Sequence, residues 1–157
     1  MSRMHPNMRA VHEALESAGA RGQVRMLPDA VATAAAAAAA LGVEVGQIAN
    51  SLIFDADGKP LLVLTSGAHR VNTDKVAALI EAAAVRRAAP EFVREHTGQA
   101  IGGVAPVGHP APIRTVVDTA LEQYDEVWAA GGIPHAVFPT TFAELVRITA
   151  GTPAEVA

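Results

Sequence analysis

Apolar residues along this chain recur first at helical and then at strand spacing. Met8, Val11, Leu15 and Ala18 fall three and four residues apart, which predicts an amphipathic helix over 7–18, ended by Gly19 or Gly22. Residues 23–27 read as a short strand. Pro28-Asp29 then opens a second helix with Asp29 as N-cap, and Leu41-Gly42 closes it with a glycine C-cap. The alanine run between that cap and that stop predicts a buried helix packed close to a sheet. Residues 45–51 read as one more helical turn. Two apolar stretches, 52–54 and 60–64, flank Asp55-Ala56-Asp57-Gly58-Lys59, and the Asp-Gly pair predicts a hairpin turn. Leu61-Leu62-Val63-Leu64 is continuous enough for a strand buried on both faces.

The second half is punctuated more often. Residues 65–69 form a loop, and Asn72 or Thr73 caps a helix through Ile80. A strand over 84–88 precedes a helix over 90–97 that Gly98 stops. Residues 101–108 read as a Gly/Pro-rich loop after a short strand. Further short strands fall at 113–117, 126–130 and 135–138. Thr140 caps a last helix with Phe142, Leu145, Val146 and Ile148 on its apolar side, and Glu144 in its first turn suits the helix dipole. From Gly151 the tail is expected to fray. The alternation is irregular and no internal repeat is found. The expected fold class is α/β (mixed α+β), a single domain around a mixed sheet.

Composition narrows the function. A chain of 157 residues that is 50% hydrophobic supports one domain with a real core. Lys+Arg number 12 against 16 Asp+Glu, a net charge of -4, and only Lys59 and Lys75 are lysines. Wholesale phosphate neutralisation needs a basic surplus, so bulk nucleic-acid binding is disfavoured. Cys is 0, which excludes disulfides, thiolate metal sites and cysteine nucleophiles. Aromatic content of 4% leaves little for a base-stacking platform. The longest apolar stretch, 30–41, is mostly alanine and too short to cross a bilayer, and the charged N-terminus is not a signal peptide. A cytoplasmic protein with no membrane contact is expected.

Local signatures of chemistry are sparse. His5, His12, His69, His96, His109 and His135 show no HxH or HExxH spacing, so no metal site is expected. No nucleophile elbow, Walker loop or dinucleotide fingerprint occurs. Two glycine pairs, Gly102-Gly103 and Gly131-Gly132, each follow an apolar run and precede a proline. Such loops let a substrate approach the backbone and accept main-chain N–H bonds. The polar run from Gly67 to Lys75 follows the buried strand directly, where binding loops are commonly built.

Together these pieces resemble a known family. Gly46-Gln47-Ile48-Ala49-Asn50-Ser51-Leu52-Ile53-Phe54, Ser66-Gly67-Ala68-His69-Arg70-Val71 and Arg94-Glu95-His96-Thr97-Gly98 carry the likeness. So do Ile101-Gly102-Gly103-Val104-Ala105-Pro106-Val107-Gly108-His109 and Asp125-Glu126-Val127-Trp128-Ala129-Ala130-Gly131-Gly132. The chain is similar to the YbaK/EbsC family, also called the prolyl-tRNA synthetase-associated domain, from about Gly22 to Thr149. The resemblance implies a mixed sheet curved towards a barrel and flanked by helices. It divides the chain into an N-terminal helix over 1–21, an editing domain over 22–150 and a frayed tail over 151–157. It implies trans-editing, the hydrolysis of an amino acid wrongly attached to a tRNA 3′ end. The partner is then the tRNA acceptor end, with an aminoacyl-tRNA synthetase as a further candidate. No metal or organic cofactor is implied, and the oligomeric state is left open.

Carried over residue by residue, the resemblance places Gly102 and Pro106 in the glycine–proline motif that cups the aminoacyl group. Gly103 and Gly108 shape that loop, and His109 follows it towards the same pocket. Gly131 matches the second glycine loop, and His69 and Arg70 fall at the pocket edge. The family sets a lysine before a small hydroxyl residue and the first hairpin strand. Here Asn50 stands there, followed by Ser51. Asparagine donates a hydrogen bond but carries no charge. Losing the charged contact costs about 1.5–3 kcal/mol, or roughly 10- to 150-fold. Arg70 is a candidate replacement if its loop folds over the pocket. Asn50, Gly102 and His109 are thus the candidate catalytic residues, with Ser51, His69, Arg70, Gly103, Pro106, Gly108 and Gly131 in substrate binding. Ile101, Val104, Val107 and Ile133 suggest a small apolar pocket for an uncharged amino acid such as alanine. Three readings stand: an altered deacylase, an inactive binder of aminoacyl-tRNA ends, and an interaction module for a synthetase.

Overall fold

In the computed structural model of the protein, residues 4–31 and 33–157 are described. Eight strands and five α-helices follow one another along them. Helix α1 (Pro6–Ser17) buries Met8, Val11 and Leu15, as the spacing predicted, and His5 Nδ1 accepts the Asn7 N–H at its start. Strand β1 (Arg25–Met26) is short and exposed. Helix α2 spans Ala34–Leu41 and is capped by Thr33, whose Oγ1 accepts the Ala36 N–H at 3.1 Å. The expected start at Asp29 is therefore corrected. Residues 27–31 are not helical: they bend at 28–29, and Leu27 and Val31 give their N–H groups to the carbonyls of His135 and Pro134. Residue 32, within the expected helix, lies outside the described residues.

Strand β2 covers Ile48–Ala56, four residues earlier than the pattern suggested, and only Val45–Gln47 keeps a helical turn, of 3-10 type. It pairs with β3 (Lys59–Ser66) through a turn at Asp57 (φ 52) and Gly58 (φ 88), the two positive values a type I′ hairpin requires. Leu62 and Leu64 enter one core and Leu61 and Val63 another, so β3 is buried on both faces.

Helix α3 (Thr73–Ile80), capped by Asn72, leads to β4 (Val85–Arg87) and α4 (Pro90–Thr97). The short strand expected before Ile101 is a turn, with Gly103 N–H bonded to Ala100. Strand β5 (Arg114–Asp118) is followed by a 3-10 turn over Thr119–Gln123. Strands β6 (Val127–Ala130) and β7 (Ala136–Thr140) form an antiparallel pair. Helix α5 (Phe142–Thr149) is capped by Thr141 rather than Thr140, which ends β7 and bonds Glu144 Oε1 at 2.7 Å.

The tail does not fray. Strand β8 (Thr152–Ala154) runs parallel to β5, and Val156 is fully buried against Val76 and Val116. Ala154 and Val156 supply the burial that fixes it. The sheet is mixed, in the order β1-β7-β6-β2-β3-β5-β8, with β4 also on β2. Val11 and Leu15 of α1 join Phe138 and Leu145 in one cluster, so the first helix belongs to the body of the domain. Among the described residues no helix is long and apolar enough to cross a membrane.

Candidate functional site

Strand β2 changes partner along one side. Ile48 and Ala49 pair with β6, and Phe54–Ala56 pair with β4. Over 50–53 neither strand reaches β2, and the sheet carries a slot. The hairpin decides what faces it. The closing pair Ala56 and Lys59 exchanges both hydrogen bonds, and such pairs recur at every second residue. Ser51 and Ile53 therefore turn their main-chain N–H and C=O away from β3, towards the slot. The bond from Gly67 N–H to the Ile48 carbonyl at 2.8 Å continues the same alternation.

A cavity of about 350 Å³ opens at this slot. Its walls come from both faces of the sheet. Ser51, Ile53, Val93 and Val104 belong to the α1 side, and Ala37, Ile48 and Trp128 to the α2 side. Arg87 of β4 is the one charged residue among the described lining residues. No His, Asp, Glu or Lys is among them, so no side-chain general base is in the walls. Two polar atoms there lack a protein partner and are shielded from solvent: Ser51 Oγ and Trp128 Nε1. Each orphan costs about 1–3 kcal/mol unless something else bonds it. The Arg25 guanidinium sits 4.9 Å from the Trp128 ring centroid, a cation–π contact that covers one ring face.

Asn50, Ser51 and Gly102 meet at this cavity, as the sequence expected of one site. Gly102 has φ 94, a left-handed conformation that glycine adopts without strain. Its loop is held from below by Gln99, a buried residue whose Oε1 accepts the Ala105 N–H at 2.8 Å. Thr97 Oγ1 in turn accepts the Gln99 N–H at 2.9 Å.

The other seven candidates lie outside the lining. Gly103, Gly108 and Gly131 allow close packing. An added Cβ would come 2.8 Å from the Ile133 backbone at Gly103, 3.0 Å from Val11 N at Gly108 and 2.8 Å from Val24 at Gly131. Pro106 is buried beneath the loop. His109 does not face the cavity, which corrects the expectation for it. Its Nε2 lies 2.8 Å from the Ala105 carbonyl, so that nitrogen carries the proton and donates. Burial pushes its pKa down, and the Ala105 bond opposes this only in part. His69 is anchored away from the slot by the buried Asp118, Nδ1 to Oδ2 at 2.9 Å. The same carboxylate accepts from Ser66 N–H and Ala120 N–H. Arg70 is exposed and does not line the cavity.

Three residues that matter here were not singled out as site residues: Arg87, Trp128 and Gln99. Trp128 was the only tryptophan in an aromatic-poor chain, which was a usable signal. Arg87 reaches the site only through the pairing of β4 with Phe54, and Gln99 acts through a bond six residues on.

Comparison with known proteins shows relatives of this fold. A family model described as an aminoacyl-tRNA editing domain matches residues 28–148. A solved structure named as that of a candidate trans-editing enzyme for prolyl tRNA synthetase is 44% identical, with a TM-score of 0.91 and 98% of each chain covered. The proline–tRNA ligase of Bacillus licheniformis is 32% identical over 150 residues, which cover 87% of this chain and 26% of the ligase. The chain thus spans about a quarter or less of the curated ligases it matches. Protein YwhH of Bacillus subtilis, uncharacterised, is 31% identical over 115 residues, 73% of each chain. Strands β2, β4 and β6, which bound the slot, and the Gly102 loop sit within the matched span, and the chain belongs to the aminoacyl-tRNA editing domain family.

Proposed function

We propose that this protein hydrolyses, in trans, the ester that links a small uncharged amino acid to the 3′ end of a mischarged tRNA. The slot between β4 and β6 carries the reading. It offers main-chain donors in an apolar cavity of a few hundred cubic ångströms, with one cation at its wall. In the reaction, water adds to the ester carbonyl carbon and the bond to the ribose oxygen breaks. That oxygen leaves with a proton, giving free amino acid and intact tRNA. Main-chain N–H groups of β2 and of the Gly102 loop suit the carbonyl oxygen as its charge grows. No side-chain base is among the described lining residues, so activation of the water is assigned to the free hydroxyl of the terminal ribose. At the place of the family lysine, Asn50 offers an uncharged amide donor. Arg87, the one charged residue among the described lining residues, supports a reading in which it supplies the positive charge that Asn50 lacks. The names of the relatives refer to prolyl tRNA synthetase and proline–tRNA ligase, so the proline-accepting tRNA is the first carrier to test.

The experiment is deacylation of a panel of mischarged tRNAs by the purified protein, with amino acids of increasing size. Small uncharged esters are expected to be cleaved fastest. A preference for large or charged side chains would remove the substrate assignment, and hydrolysis at the background rate would remove the activity. Asn50 also favours a second reading, binding of aminoacyl-tRNA ends without turnover. Asn50→Lys separates the two. It is expected to raise the rate by about 10- to 150-fold if the uncharged side chain is what limits hydrolysis. An unchanged or lower rate would count against Asn50 in the lysine's place.

A further inference from the structure

The side chain beneath the Gly102 loop is polar where an apolar one would pack. Gln99 follows the glycine that stops α4 and is shut off from solvent, as are Thr97 before it and Ala105 after it. Gln99 Nε2 has no hydrogen-bond partner in the protein, so the amide is kept at a cost that leucine or methionine would not incur. The other end of the amide explains why. Gln99 Oε1 accepts the Ala105 N–H at 2.8 Å. Between these two residues the chain turns through Gly102, at φ 94, and lines the cavity at Ile101, Gly102 and Val104. Gly103 N–H finds the Ala100 carbonyl within the turn, but the buried Ala105 N–H is met by a side chain. The amide thus closes the base of the loop across six residues. Thr97 ties that base to α4, since its Oγ1 accepts the Gln99 N–H at 2.9 Å and donates to the Val93 carbonyl at 2.7 Å.

We propose that Gln99 is a positioning residue for the hydrolysis: by holding the Ala105 N–H it fixes the turn whose Gly102 main chain lines the cavity. This rests on the editing activity proposed above and goes further by naming what sets the loop against the ester. Gln99 is not among the described lining residues, so it acts through the loop and not on the substrate. Main-chain donors stabilise a growing oxyanion only from where its charge develops, and a misplacement of about 1 Å costs roughly a hundredfold. Without the Gln99 acceptor, the buried Ala105 N–H must turn towards water to be satisfied, and the turn moves with it. The far side of the turn is fitted as closely. An added Cβ at Gly103 would come 2.8 Å from the Ile133 backbone, so the turn is held from two sides.

The test separates the acceptor from the space it fills. Gln99→Met keeps the volume and removes the acceptor, whereas Gln99→Glu keeps an acceptor in either protonation state. The substrate is the best-cleaved ester of the panel above, carried by a CCA-ended acceptor hairpin. Gln99→Met is expected to lower kcat about 10- to 100-fold with KM within about threefold, at a temperature where circular dichroism shows the variant folded. Gln99→Glu is expected to stay within about threefold of the unaltered kcat. A Gln99 that only stabilises the fold would shift the melting temperature and leave kcat of the folded protein where it was. That result would overturn the proposal, as would a Glu variant as slow as the Met variant. A second measurement needs no variant. In the unaltered protein the Ala105 amide is expected to exchange with deuterium at least about a hundredfold more slowly than an unstructured amide, read by NMR. Unprotected exchange there would overturn the role. An unchanged kcat in Gln99→Met removes the role of Gln99 and leaves the editing activity standing. Background hydrolysis of every ester by the unaltered protein removes both.

Discussion

An imidazole turned away from the cavity does not reach a water attacking the ester there. His109 is in that state, with Nε2–H on the Ala105 carbonyl and its ring partly buried beside the loop. Burial lowers its pKa in the folded protein, while the unfolded chain titrates near the ordinary value of about 6.5. Below that pH the unfolded state binds the proton more readily. The stability due to neutral His109 is therefore complete above about pH 6.5 and is lost as pH falls through the lower folded value. The melting temperature is expected to drop on acidification below about pH 6.5, and His109→Gln is expected to flatten that drop. The same variant at neutral pH is expected to hydrolyse esters within about threefold of the unaltered rate. A loss of a hundredfold or more would return His109 to the chemistry. At this scale the sequence was legible where the motif is local. Asn50, Ser51 and Gly102 sit in short strings that fold as units and converge on one cavity. His109, two residues beyond Val107 in the same string, misled because contiguity does not say which way a ring points. Arg87 and Trp128 were opaque for the opposite reason, since strand pairing alone brings them to the slot.

Whole elements follow their end signals more faithfully than their composition. Thr33, Asn72 and Thr141 each cap a helix by accepting an N–H of its first turn. The hairpin turn fell where Asp57-Gly58 placed it, and the Asp57 carboxylate adds bonds from the Ala83 and Ala84 N–H groups that hold its pKa down. What the pattern could not show was the end of the chain. Three residues are too few for periodicity, and a parallel edge strand gains its order from β5, more than thirty residues earlier. Val156 is buried among Val76 and Val116, Asn72 N–H bonds its carbonyl at 2.7 Å, and Lys75 Nζ reaches the Ala157 oxygen at 2.9 Å. Burying a valine stabilises by about 1.5–3 kcal/mol. Removing residues 152–157 is therefore expected to lower the melting temperature by roughly 5 °C or more, read by circular dichroism. An unchanged melting temperature would mean that β8 contributes nothing to the fold.

Charge belongs to the molecule as a whole. A net charge of -4 repels most of a tRNA, yet the proposed hydrolysis requires only the acceptor end at the site. The chain meets both demands by keeping carboxylates out of the cavity and setting one arginine at its wall. Few phosphates are neutralised in such an arrangement, so few counterions are released on binding. Each phosphate contributes about -0.7 to -0.9 to the slope of log affinity against log salt, and one or two contacts give a slope near -1 to -2. A protein that grips tRNA along its length would show a far steeper one. Titration of a CCA-ended acceptor hairpin across a range of sodium chloride measures this directly. Arg87→Ala is expected to weaken binding and to make the slope shallower by roughly 0.7–0.9. Arg70→Ala, outside the cavity, is expected to leave the slope unchanged. If the Arg87 variant keeps the full slope and the Arg70 variant loses it, the cation that stands in for the family lysine comes from the β3–α3 loop and not from β4.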